Sequence, residues 1–414
     1  MNFLPKASGT RPRAACEIAP QGVTAARSES VTAPLAAITS VKLERGAVTP
    51  SLKPGNLVDR VAVVAALRKA FDAVGAKPNT RNADVTVVIP DGACRVLLLE
   101  FEALPTKLSE ALPLVRFRLK KLVPFDADDA MVSFQVLSHT KQLVRVLAVA
   151  IPRDVLGEYE GVVREAGFEP GAVLPSTLAS LAGLEPGQTS LVVNVSGLSV
   201  TTAISREGIL LLHRTVDLHA EPVGVPIPPV PVADENLVAL PLVSLEDTQE
   251  EWAAQQPLPE HGRNPYAQEP APVQASPYAE PSALADLNAE LHNAILQVPP
   301  VSVPAVVHEP VVALHESHSA EALPAEAFAL EVAQAVNVAA AYYEDTLTAV
   351  AETILSVGML SASALQRVLE AQGVASTDGL RVQELVTADA IGADAVSARV
   401  SRGSLAGVRG ALRG

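Results

Sequence analysis

The residues best placed for binding chemistry lie in one short run, VRFRLKKLVPF, residues 115–125. Wound at about 100° per residue, Leu112, Val115, Leu119 and Leu122 fall on one stripe. Phe117 falls opposite that stripe between Lys120 and Lys121, with Arg116 and Arg118 on the shoulders, and Phe125 closes the run behind Pro124. An aromatic framed by cations offers a hydrophobic anchor and steering charge, which suits the docking of an acidic or amphipathic peptide. Two other uses of the same residues stand beside it: Phe117 packs under a neighbouring lobe, or the cations meet anionic lipid headgroups. Pro113 falls near the expected helix start, where its missing N–H matters little.

No residue set points to a metal or to a catalytic group. His308, His315 and His318 lack the spacing of metal ligands. Cys16 and Cys94 sit far apart in apolar, strand-like surroundings and read as buried free thiols. Trp252, next to an acidic run, is an exposed aromatic or a short docking motif.

The composition bounds the class. A chain of 414 residues with 49% apolar side chains can fill two compact lobes. A net charge of −15 argues against a broad phosphate-binding surface, and so against a nucleic-acid partner. The N-terminus lacks a continuous apolar stretch, and no run of about 18 apolar residues occurs, so no integral membrane segment is expected.

The elements that must position these residues follow from periodicity. AACEIA, GVTAARSE and LAAITSVKLER predict three strands over residues 14–45. Residues 57–75 place Val58, Val61, Ala65, Leu67 or Arg68, and Phe71 at helical spacing before Gly75, and VTVVIP reads as a strand buried on both faces. RVLLLEFEAL predicts a strand, residues 109–122 a helix, MVSFQVL and VRVLAVAIP a hairpin, and RDVLGEYEGVVREAG a helix stopped by Gly167. SLVVNV, SVTTAIS and ILLLHRTV then repeat the opening three-strand design, with turns at Ser196-Gly197 and Glu207-Gly208.

Residues 219–326 break the pattern. They hold roughly half of the 33 prolines and a single basic residue, Arg263. Such a stretch cannot bury enough apolar surface to offset its ordering entropy, and a disordered acidic, proline-rich insertion is expected, with residues 284–298 as an amphipathic helix inside it. Order returns with a long helix over residues 326–343, the buried run TILSVG, the helix SASALQRVLEAQG and a closing segment that ends in SLAGVRGALRG.

In order and spacing, VIPDGACRVLLLEFEALP, VRFRLKKLVPFDADDAMVSFQVL, AVAIPRDVLGEYEGVVREAGFEPGAVLPSTLASL, AYYEDTL and LAGVRGALRG resemble the PilM family of type IV pilus assembly proteins. That family is actin-like and related to the division protein FtsA. The resemblance implies an α/β, actin-like (ribonuclease H-like) two-lobed fold with an inserted small α/β subdomain. The expected organisation is a tail over 1–13, the first lobe over 14–83 with its return over 167–186, and the inserted subdomain over 84–166. The second lobe opens over 187–218, the acidic insertion occupies 219–326, and residues 327–414 close the second lobe and return to the first.

The resemblance also implies a partner, the N-terminal cytoplasmic segment of a PilN-like bitopic protein, held in a cleft beside the inserted subdomain. A cytoplasmic position, peripheral at the inner membrane through partners, goes with it. A homo-oligomer and contacts of the acidic insertion with other pilus platform or motor components stay open. Family members bind ATP and Mg²⁺ through one strand-turn-strand loop per lobe. The matching positions here are Glu17, Ala19 and Gln21 in the first loop, Asn194, Ser196 and Gly197 in the second, and Gly358 on the adenosine side. Pro20 has no N–H for a phosphate, Ala19 adds a methyl group, Asn194 replaces a carboxylate, and Met359 stands where a second glycine is usual. These departures point to a non-catalytic scaffold, with weak ATP binding left open because Glu17 can still meet a metal through water. The alternatives are an ATPase whose nucleotide state regulates pilus assembly, and the cytoplasmic domain of a type II secretion assembly protein.

Overall fold

The computed structural model describes residues 12–78, 83–185, 187–220, 224–225, 323–324, 326–349, 351–374, 380–393, 395 and 400–413. The expectations for the N-terminal tail, for Trp252, for the three histidines, for the helix at 284–298 and for nearly all of the acidic insertion lie outside them.

Two five-stranded sheets repeat one topology. In the first, β1 (Ala14–Ala19), β2 (Gly22–Ser28) and β3 (Leu35–Lys42) form an antiparallel meander, and β4 (Asp84–Ile89) joins β1 in parallel. Strand β8 (Glu169–Pro175) adds to β4, which gives the order β3-β2-β1-β4-β8. The helix α1 (Arg60–Ala73) starts where the Asp59 carboxylate accepts from Ala62 N–H at 2.9 Å and buries Val63, Val64, Leu67, Ala70 and Phe71 against β2 and β3. Leu67 and Phe71 of the expected face are buried, whereas Val58, Val61 and Ala65 are exposed and Val63 and Val64 take their place in the core.

The residues between β4 and β8 form an extra unit. Strands β5 (Arg95–Phe101), β6 (Ala130–His139) and β7 (Val144–Pro152) make a sheet of order β5-β7-β6, and α2 (Leu108–Leu119) covers one face of it through Val115 and Leu119. The helix α3 (Arg153–Glu165) instead buries Val155, Tyr159, Val162 and Val163 in the core of the first sheet. The interposed unit is therefore 95–152 rather than 84–166, because β4 is hydrogen-bonded into the first sheet and α3 packs on α1 and β8.

After α4 (Ser176–Leu181) comes the second sheet, in which β9 (Ser190–Val195), β10 (Ser199–Arg206) and β11 (Ile209–Asp217) repeat the meander. A two-residue pairing of β12 (Gly224–Val225) with β13 (Leu323–Pro324) brackets the insertion. The helix α5 (Glu326–Leu347) then lays Phe328, Val332, Val336 and Tyr343 on the second sheet. Strands β14 (Thr353–Gly358) and β15 (Arg381–Glu384), separated by α6 (Ala362–Ala371), complete the order β11-β10-β9-β14-β15. The last helix, α7 (Ala406–Arg413), returns to pack on α4, β1 and β4. Gly410 permits that approach, since a Cβ there would collide with the Ala179 carbonyl oxygen of α4.

Candidate functional site

Three places merit inspection: the junction of the two sheets, a groove beside the interposed unit, and the outer face of α2. At the junction the two turns expected to face each other do so. A small cavity is lined by Glu17, Ala19 and Gln21 from β1 and its turn, by Pro90 and Asp91 after β4, by Ser176, and by Asn194, Ser196 and Gly358 from the second sheet. Its volume is ≈ 20 Å³, enough for about one water molecule. Gly197 and Met359 lie farther out, on the wall of a cleft of ≈ 410 Å³ shared with Pro20, Gln21, Arg45 and Thr49.

Polar side chains fill the space around the small cavity. Thr177 donates both its N–H and its hydroxyl to Asp91, the latter at 2.5 Å. Ser176 Oγ donates to Glu17 Oε1 at 2.6 Å. Asn194 Nδ2 reaches Ser176 Oγ and Thr177 Oγ1 at 3.0 Å each and Asp91 Oδ2 at 3.3 Å. Burial, together with the nearby Asp91 charge and despite the Ser176 bond, pushes the Glu17 carboxyl up to about 7. From β11, the His213 side chain is buried with Nε2 3.9 Å from Asp91 Oδ1, and burial holds its imidazole below its ordinary value. Sequence reasoning gave no role to Asp91, Ser176, Thr177 and His213, although the first three lie in stretches that carry the resemblance. The signal available was a carboxylate, a Ser-Thr pair and a histidine in otherwise apolar, strand-bounding segments.

Magnesium and ATP, which the resemblance implies, do not fit the small cavity. A triphosphate needs backbone N–H donors and open volume, whereas Pro20 of the first turn offers no N–H and the small cavity holds about one water; the open volume lies in the adjoining cleft of ≈ 410 Å³. Among the described residues no group of three or more His, Cys, Asp or Glu side chains is arranged to hold a metal ion. Cys16 and Cys94 are buried free thiols.

The groove lies between two sheet edges. Among the described residues β8 pairs with β4 alone and β6 with β7 alone, and residues of both strands line a space of ≈ 290 Å³. Met131, Ser133 and Gln135 line it from β6, Leu147, Val149 and Ile151 from β7, Leu156 and Glu160 from α3, and six consecutive residues, 170–175, from β8. Strand alternation produces this surface: Val146, Ala148 and Ala150 of β7 face α2, and the residues between them face the groove.

None of the residues expected to bind a partner lines that groove. Phe117 is 63% exposed on the outer face of α2, with Lys121 Nζ 5.5 Å from its ring centroid, so it does not pack under a lobe. Arg118 is exposed. Arg116 turns inward and donates to the Ala127 and Ala130 carbonyls, and Lys120 pairs with Asp128. Phe125 packs against the core of the interposed unit. Leu122 does not continue the buried stripe: the helix ends at Leu119, and the turn after it leaves Leu122 half-exposed. Pro113 is the sixth residue of α2 rather than near its start, on an exposed side of the helix, and has no N–H to give the Ser109 carbonyl.

No protein-family model matches the chain, and no curated protein matches it. Solved structures do. A chain of a PilM-PilN type IV pilus biogenesis complex is similar over 97% of this chain and 98% of its own length, with a TM-score of 0.58 at 16% identity. The ethanolamine utilization protein EutJ from Carboxydothermus hydrogenoformans is similar over 100% and 91%, with a TM-score of 0.39 at 10% identity. The cytoplasmic domain of EpsL, an inner-membrane component of the type II secretion system of Vibrio cholerae, is similar over 49% and 70%, at 0.32 and 15%. The fold is thus the actin-like, two-lobed α/β fold, in the arrangement of the pilus-complex chain. Among the described residues no helix is long and apolar enough to cross a membrane.

Proposed function

We propose that this protein is a non-catalytic scaffold of a type IV pilus assembly platform and that it captures an extended, apolar segment of a PilN-like membrane protein in the groove between β6 and β8. The observation that carries the reading is the groove itself, an apolar trough lined by β6 and β8, each of which pairs with one strand alone among the described residues. A segment entering it in extended form can bond to an edge backbone while alternate side chains settle on Leu147, Val149 and Ile151, which is recognition by strand addition. The similar pilus-complex chain was solved with a PilN partner, which supports the choice of partner class. Residence at the inner membrane through that partner follows from the same reading. The scaffold assignment is supported by the junction, where Pro20 has no N–H to give a phosphate and Asn194 stands in place of a carboxylate.

The α2 face supports a second contact, because Phe117 stands exposed with Lys121 over its ring. One experiment separates the two. A labelled peptide from the N-terminal cytoplasmic segment of the PilN-like protein is titrated by fluorescence anisotropy against wild type, Ala172→Arg and Phe117→Ala. Ala172 is an exposed residue of β8 on the groove wall, so arginine fills the trough without entering the core. Capture lost in Ala172→Arg and kept in Phe117→Ala supports the groove. The reverse pattern refutes it in favour of α2.

A further inference from the structure

The polar cluster at the junction has a direction. The Ser176 hydroxyl proton is committed to Glu17 and the Thr177 hydroxyl proton to Asp91, so both oxygens present lone pairs to the second sheet. What meets them there must be a donor. Asn194 supplies an amide whose two hydrogens are shared among Ser176, Thr177 and Asp91, all three on the first lobe. A carboxylate at this position, as in the family pattern, would face two acceptor oxygens and a second carboxylate with nothing to give. The replacement of that carboxylate and the orientation of both hydroxyls therefore belong to one arrangement. The fit on the far side is equally close, since a Cβ at Gly358 would collide with the Val195 carbonyl and with Asn194 Oδ1.

We infer that Asn194 clasps the two lobes together by direct side-chain hydrogen bonds where other proteins of this fold use a bound nucleotide, so that the lobes hold one arrangement and partner capture is independent of MgATP. The clause on capture rests on the function proposed above, while the clasp stands on the junction alone. Each bond spans the lobes among buried residues, so loss of the donor leaves the Ser176 and Thr177 hydroxyl oxygens without the hydrogen they accept and takes one of its donors from Asp91.

The test uses the full-length chain and thermal unfolding followed by circular dichroism. Millimolar MgATP or MgADP should leave the melting temperature within about 1 °C, whereas a nucleotide bound well below its concentration would raise it by several degrees. Asn194→Asp at neutral pH should lower it by roughly 5 °C or more, as should Asn194→Ala. Should both Asn194 variants fail to fold, Ser176→Ala keeps two of the three acceptors and should show a smaller fall. A rise with MgATP overturns the clasp, as does an Asn194→Asp or Ser176→Ala protein as stable as wild type. Peptide capture measured with and without MgATP should be the same within about twofold, since an effect on affinity requires the nucleotide to bind two states differently. A nucleotide-dependent capture overturns the independence, and a wild type that captures no peptide refutes the proposed function while leaving the clasp to the thermal measurements.

Discussion

Replacing Glu17 by glutamine should make the protein more stable at alkaline pH and should flatten its stability profile. The carboxyl sits half-buried in the fold, bonded to Ser176 and near Asp91, with its titration moved up to about 7. In the unfolded chain a glutamate titrates near 4.3, give or take about a unit. The folded state thus holds the proton more tightly. The stability this contributes is complete below about pH 4, declines as pH rises, and is gone above about pH 7. At ~1.36 kcal/mol per pH unit the whole gap amounts to roughly 3–4 kcal/mol. Glutamine keeps an oxygen to accept from Ser176 and carries no charge, so Glu17→Gln should gain on wild type by about 2–3 kcal/mol between pH 4.5 and pH 8. Urea denaturation at several pH values measures both curves. His213 works in the opposite sense: its lowered titration makes the fold lose stability as pH falls through the mid-6 range and below, but it is present in both proteins and cancels in the difference. A constant offset between the two curves would refute the assignment of a raised titration to Glu17.

Other expectations follow from packing. Phe117→Ala should change stability by less than about 0.5 kcal/mol in the same denaturation assay, because the ring is 63% exposed. Gly410→Ala should cost more than about 3 kcal/mol or leave the protein insoluble on expression, since the added methyl meets the Ala179 carbonyl at the α4–α7 crossing. Tyr159→Phe should lose about 1 kcal/mol, because the hydroxyl of this buried side chain donates to Asn56 Oδ1 at 3.3 Å and its removal leaves that oxygen with one partner fewer.

How far the sequence could carry this description depends on whether a feature is local. The meanders were legible because β1–β3 and β9–β11 are short apolar strands separated by turn residues, and the turns at Gly197 and Gly208 have the positive φ that glycine supplies. The start of the buried face of α1 was not, since valines at 58 and 61 share a helical spacing with Leu67 and Phe71 closely enough to pass for it, and only the contact with β2 and β3 selects Val63 and Val64 instead. Strand β8 was hidden for a related reason. Its residues EPGAVLP carry two prolines and a glycine and read as a loop, yet an edge strand with one free side tolerates the N–H groups that proline lacks.

The candidate sites divide along the same line. Phe117 and its cations could be found because a helical wheel is a local construction, but the groove could not, because it is lined by β6 and β8, some 40 residues apart in the chain. At the junction, alignment of two turns on a family pattern located Glu17 and Asn194 and showed a carboxylate missing. Read alone, that loss is decay of a nucleotide site. Beside Ser176 and Thr177, whose hydroxyls have already given their protons to Glu17 and Asp91, the same amide is the donor that the first lobe requires. A residue that has merely drifted has no reason to complete a hydrogen-bond chain running from Asn194 through Ser176 to Glu17. That is why the effect of Asn194→Asp on the melting temperature separates loss of one function from construction of another.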